Sequence, residues 1–210
     1  MKKTYILLLC MFVLSCSEKK YLAKFTDVKF SSTYRPVTPF RSDGFYMPEK
    51  ELIDSTIPQS QKRIFLKDGS YGEICDEFKK GQKFDLSYGG GTGRIAYGVG
   101  IYRVSNDTLY VNSYDRYFFS YEIVRQKFKI NNDETITLFE VEFLSLNPRN
   151  HKKNSCNKKY VFIPTDSLPP TGNHYLKTHK WIWENEADWR QYMKEYKRNK
   201  KIKKQTKRND

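Results

Sequence analysis

Glu140 and Glu142 stand two residues apart in a stretch that alternates like a strand, so both fall on one face. Such a pair serves acid–base chemistry on a glycan only where a correctly spaced second carboxyl group faces it across a cleft. Beside Lys127 and Lys129, across the Asn131 turn, the two acids read first as the wet face of a sheet. The histidines, His151, His174 and His179, form no compact ligand pair with each other or with a cysteine, so no metal site is expected. Gly89-Gly90-Gly91-Thr92-Gly93-Arg94 looks like a phosphate cradle, but no Lys-Ser or Lys-Thr follows. The residues after it, from Ile95 to Tyr102, alternate like a strand instead of opening a helix. A loop or strand crossover is the expectation there. No catalytic residue and no cofactor are assigned.

Aromatic residues offer a different chemistry. The chain of 210 residues holds 16 Tyr, 14 Phe and 3 Trp, too much large apolar surface for wholesale disorder. Tyr110, Phe118 and Tyr121 are the best candidates to line an apolar pocket, if the fold encloses one. Trp181-Ile182-Trp183 is expected to lock a terminal segment onto a core, since large rings are normally spent on packing.

These residues need a scaffold, and the alternation supplies it. Candidate strands are Gly44–Met47, Arg63–Leu66, Tyr71–Cys75, Arg94–Val104, Thr108–Asn112, Phe118–Ile130, Thr135–Phe143 and Tyr160–Ile163. Asp68-Gly69, Asn106-Asp107 and Asn131-Asn132-Asp133 mark turns between them. About eight strands in hairpin order predict a mainly β fold, an antiparallel barrel or sandwich over residues 41–183, because closing or covering the sheet removes its edges. The stretch from Asn147 to Lys159 reads as a polar loop. Asn185 can cap a C-terminal helix over 184–200, with Asp188 completing a capping-box arrangement. Residues 201–210 read as a frayed or disordered basic tail.

The N-terminus says where the protein goes. Lys2 and Lys3 precede a greasy run from Tyr5 to Leu14, too short to cross a bilayer as a stable helix, so 1–15 reads as a secretory signal. Val13-Leu14-Ser15-Cys16 resembles the lipobox of bacterial lipoproteins. That resemblance implies cleavage before Cys16, lipid on its thiol, and acylation of the new amino terminus. Residues 16–40 then become a lipid-anchored tether and extended segment. Ser17 stands where the inner-membrane retention signal of enteric bacteria has Asp, which favours the outer membrane. In that oxidising compartment Cys75 and Cys156 would either pair, contributing about 2–4 kcal/mol, or stay as separate thiols.

Charge is distributed unevenly. The full chain has 38 Lys plus Arg against 24 Asp plus Glu, net +14, and loss of Lys2 and Lys3 leaves +12. Lys194–Asp210 alone carries nine basic residues and two acids, net +7. Export argues against nucleic acid as its partner and for anionic lipid head groups.

Arg41-Ser42-Asp43-Gly44-Phe45-Tyr46, Ile64-Phe65-Leu66 before Asp68-Gly69, and Gly100-Ile101-Tyr102 leading to Asp107-Thr108-Leu109 give a rhythm that resembles small lipocalin-like barrels. The domain also looks like the many small lipoproteins of Bacteroidetes. The resemblance implies a non-enzymatic binding module, for a small apolar ligand or another envelope component. A glycan- or peptide-acting hydrolase and a purely structural envelope protein are the alternatives. Asp54-Ser55-Thr56, Asp107-Thr108-Leu109 and Asp166-Ser167-Leu168 resemble the O-glycosylation pattern of exported proteins of that phylum, Asp followed by Ser or Thr and then a small or apolar residue, which makes Ser55, Thr108 and Ser167 possible acceptors.

Overall fold

Alternating apolar residues, interrupted by turns that need a left-handed residue, form eight strands in chain order. The computed structural model describes residues 23–35, 40–50, 62–74, 96–117, 120–145, 147–165, 168 and 175–209. The strands are β1 (Gly44–Pro48), β2 (Lys62–Phe65), β3 (Ser70–Ile74), β4 (Ala96–Ser105), β5 (Thr108–Tyr117), β6 (Ser120–Ile130), β7 (Thr135–Leu144) and β8 (Lys152–Pro164). Each pairs antiparallel with its sequence neighbour, and β8 returns to β1, so the sheet is a closed barrel and not a sandwich. The closing register sets Tyr46 opposite Phe162.

The turns between β2 and β3, β4 and β5, and β6 and β7 lie at one end. Gly69 has φ +82° and its N–H donates to the Leu66 carbonyl, while Asp68 accepts from the Ser70 N–H at 3.0 Å. Asn106 has φ 55° between the paired residues Ser105 and Thr108, as a two-residue hairpin requires. Gly100 answers a different need. A Cβ there would lie 2.1 Å from the Asn112 carbonyl oxygen, so only glycine lets β4 and β5 approach.

Strand alternation divides the apolar residues between two cores. The first is the barrel interior, where Phe65 on β2 meets Phe128 on β6 across the lumen at 6.0 Å and edge-on. Phe40 plugs the turn end. It stacks parallel on Tyr46 at 5.6 Å and meets Phe65 edge-on at 5.3 Å. Each such pair adds about 0.5–1.5 kcal/mol beyond area burial. The second core lies outside the wall, where Phe45, Ile64, Ile101, Tyr114 and Ile123 are covered by Val28, Phe30, Leu176 and Ile182 from the two terminal segments. Those segments are stitched together: the Phe30 N–H donates to the Ile182 carbonyl and the Glu184 N–H to the Phe30 carbonyl, both at 2.8 Å. Trp183 leans on Phe30 and Trp181 on Tyr114, so this aromatic run is packing, as expected.

Two expectations need correcting. Lys152–Lys159 continue β8 instead of forming a loop; only Pro148–Asn150 make a short 3-10 turn. Pairing with β7 satisfies the backbone, and polar residues suit a strand whose sides are mostly exposed there. The C-terminal helix, α1 (Glu186–Asn209), also runs past residue 200 almost to the chain end. It meets no Pro or Gly, is rich in Lys, Arg and Gln, and places cations at the negative end of its dipole.

The cap of α1 differs from the capping box too. Asn185 accepts from the Ala187 N–H at 2.8 Å, but Asp188 turns away to take the Ser32 hydroxyl at 2.7 Å. Asn185→Ala is expected to cost about 1 kcal/mol of helix stability. Faster amide exchange in the first turn of α1, with the barrel unchanged, would be the signature.

Candidate functional site

The connections after β1, β3, β5 and β7 leave from the end of the barrel opposite the Phe40 plug. Inward-facing residues become polar towards that end. On β2, period 2 puts Arg63 on the same face as Phe65; on β3 it puts Glu73 with Tyr71; on β6 it puts Gln126 with Phe128. Arg63 and Glu73 form a direct ion pair inside the barrel, with side chains 5% and 14% exposed. The Tyr71 hydroxyl donates to Glu73 at 2.7 Å and accepts from Arg63. The Gln126 amide crosses the lumen to donate to the same Glu73 oxygen at 3.0 Å. The guanidinium also lies 5.7 Å from the Tyr160 ring.

Burial opposes the charge on Arg63, but its tyrosine neighbours Tyr71 and Tyr160 outweigh it and hold its pKa above the ordinary value. The barrel interior thus changes from stacked rings at the plug to one neutralised polar cluster at the other end. Chemically this cluster is a strut: Arg63, Tyr71, Glu73 and Gln126 bond to one another across the lumen.

The acids singled out from the sequence lie elsewhere. Glu140 accepts from Lys127 and Lys153, each at 2.9 Å, and these hydrogen bonds hold its carboxyl below the usual range. Glu142 pairs with Arg125 at 3.1 Å, not with Lys129, which stands opposite Thr137. Both carboxylates therefore sit in ion pairs along β7. His151 meets Phe25 edge-on and its Nε2 lies 2.8 Å from the Ser145 carbonyl, while His179 packs on Trp181. His174 and the glycine run at 89–93 lie outside the described residues. Among the described residues no group of His, Cys, Asp and Glu could hold a metal.

Tyr110 is a correction. Its neighbours Leu109 and Val111 are the ones buried inside, so Tyr110 is on the outer face, 37% exposed, with the Lys127 ammonium 6.0 Å from its ring. Phe118 lies outside the described residues, and so does the side chain of Tyr121, whose backbone pairs with Arg116. Cys156 is a free thiol, partly buried against the interior core, and burial pushes its pKa up. Cys16, Cys75, Ser55 and Ser167 lie outside the described residues. Thr108 stands at an exposed hairpin tip, its hydroxyl donating to Asp107 at 3.2 Å.

No family model, curated protein or solved structure matches this chain. Function must therefore follow from the surfaces its own residues build.

Two cationic features stand out. A cleft of about 500 Å³ opens where β1 ends beside β8, lined by Pro48, Glu49, Lys50, Thr137, Asn157, Lys158 and Lys159. Glu49 neutralises Lys159 at 2.7 Å, which leaves the other two lysines in excess. The second feature is α1, whose described side chains beyond Tyr196 are exposed. Sequence reading located its charge but missed the buried Arg63–Glu73 cluster. The signal was there: a charged residue at period 2 from Phe65 and another at period 2 from Tyr71.

Proposed function

We propose that the protein is an envelope module, anchored by lipid on Cys16, that works without catalysis and recognises another envelope component through its outer surface. The observation that carries this reading is the packing of the barrel interior. Tyr46, Phe65, Tyr71, Tyr102, Phe128 and Tyr160 are each no more than 2% exposed and their rings touch in a continuous chain. A small apolar ligand would have to displace rings that already satisfy one another, at a cost of several kcal/mol. The hydrolase alternative loses support because Glu140, held ionised between two lysines, is a poor proton donor.

Two readouts test the proposal on the protein expressed in a bacterial host. Cys16→Ser is expected to abolish lipid labelling and move the protein out of the membrane fraction. The purified mature protein is expected to leave a fluorescent fatty-acid probe unbound. An unchanged membrane fraction overturns the anchor, and saturable probe uptake overturns surface recognition.

A further inference from the structure

Helix α1 contains 24 residues, a rod about 36 Å long at 1.5 Å per residue. Its first turns are held down: Trp189 donates to the Thr178 carbonyl at 3.1 Å, Asp188 takes the Ser32 hydroxyl, and Tyr192 packs on Trp183 at 5.3 Å. Tyr196 stacks on Tyr192. From Lys197 to Arg208 the sequence has eight Lys or Arg and no acid. Lys197 and Lys201, Lys200 and Lys204, Lys203 and Lys207, and Lys204 and Arg208 are each four residues apart, on one face of the helix. Each like-charge pair is destabilising, in a segment with little tertiary packing to offset it. This part of the helix is therefore electrostatically frustrated, and a dense array of negative charge would relieve the repulsion.

We infer that α1 is a peripheral docking arm for anionic phospholipid head groups. The inference rests on the anchored reading above, which favours lipid over any soluble polyanion. The helix root is pinned to Ser32, and residue 16 is only seven residues before the described segment at Ala23, at most about 25 Å of extended chain. An anchored protein keeps α1 within reach of head groups at high effective concentration. Beyond Tyr196 the one large apolar residue is Ile202, 53% exposed, so there is no apolar stripe for insertion. The arm lies on the head groups and does not enter the acyl region. Each basic residue in contact strengthens the attraction, and salt weakens it by screening. It also removes the repulsion, so helicity in the arm rises on binding.

The test uses the mature polypeptide from residue 16 carrying Cys16→Ser, so failure of the lipid anchor cannot affect it; the anchor fails or stands in the fractionation experiment above. Vesicles of phosphatidylcholine with about one-third phosphatidylglycerol are compared with pure phosphatidylcholine. The expected result is binding to the anionic vesicles alone, reversed by salt, with slower amide exchange over residues 197–209. Replacing Lys194, Lys197, Arg198, Lys200 and Lys201, all exposed, with Gln is expected to weaken binding by on the order of a hundredfold while the barrel's thermal transition stays put. Equal binding to neutral vesicles, no loss in the five-Gln variant, or tighter binding to duplex DNA at equal phosphate would overturn the assignment.

Discussion

Raising the pH above 10 is expected to unfold the barrel steeply. The cause is buried tyrosine. Tyr46, Tyr102 and Tyr114 are at most 2% exposed, and burial raises the pKa of each above the ordinary 10.0, Tyr102 well above it. Their hydroxyls find partners inside: Tyr102 donates to the Leu66 carbonyl at 2.7 Å, Tyr46 to the Arg41 carbonyl at 3.2 Å, and Tyr114 shares a hydrogen bond with Thr26 at 2.9 Å. The unfolded chain releases these protons near pH 10, while the folded chain holds them to higher pH. Between those values the native state binds more protons, so stability complete below pH 10 is lost as the pH rises. Each such tyrosine costs about 1.4 kcal/mol per pH unit, and three cost about 4. Lys177 acts in the opposite direction: burial lowers its pKa, so its contribution improves as pH climbs towards 10.5. One lysine does not offset three tyrosines. A barrel stable by roughly 5–10 kcal/mol would reach its midpoint about one to two and a half units above pH 10. Tyrosinate from the buried rings should appear together with the loss of far-ultraviolet dichroism. Ionisation of every tyrosine near pH 10 in an intact barrel would refute the account, and Tyr46→Phe should reduce the slope by about 1.4 kcal/mol per pH unit.

Much of this architecture was legible because short hairpins leave strong local marks. Asp68-Gly69 and Asn106-Asp107 force particular turns, and the flanking alternation leaves few ways to pair the strands. The polar half of β8 was not legible, since NPRNHKKNSCNKK has no apolar face to reveal a strand. It extends because β7 offers an edge and because Lys153 finds Glu140 there, both contacts distant in sequence. The helix beyond residue 200 was missed for the opposite reason. Charge density argued for disorder, while propensity and the absence of Gly and Pro argued for helix. For the interior, period 2 alone decides the face: it turns Tyr110 outward and Arg63 inward, although composition suggests the reverse. Aromatic content argued for sheet and for a large apolar core. It could not distinguish a lumen lined by rings from one filled by them, because that depends on contacts across the barrel such as Phe65 to Phe128.

Glu73→Ala is expected to be among the most damaging single substitutions in the wall, costing about 3–5 kcal/mol. It leaves the Arg63 guanidinium inside the barrel without its counter-charge and strips the Tyr71 hydroxyl and the Gln126 amide of the same acceptor. Water cannot readily compensate at a side chain only 5% exposed. Arg63→Met alone should cost less, since Glu73 keeps two neutral donors. The informative variant is the double substitution Arg63→Met with Glu73→Leu. Removing both charges removes both desolvation penalties, so it should recover most of the loss and come within about 1–2 kcal/mol of the parent in urea unfolding. That outcome would make the cluster a strut that specifies register, with β2, β3 and β6 joined through one polar knot. If the double variant stays as unstable as Glu73→Ala, the pair contributes directly to stability and the hydrophobic replacement fails to pack. If Glu73→Ala costs less than 1 kcal/mol, Arg63 reaches water, and the end of the barrel opposite Phe40 is wetter than its packing indicates.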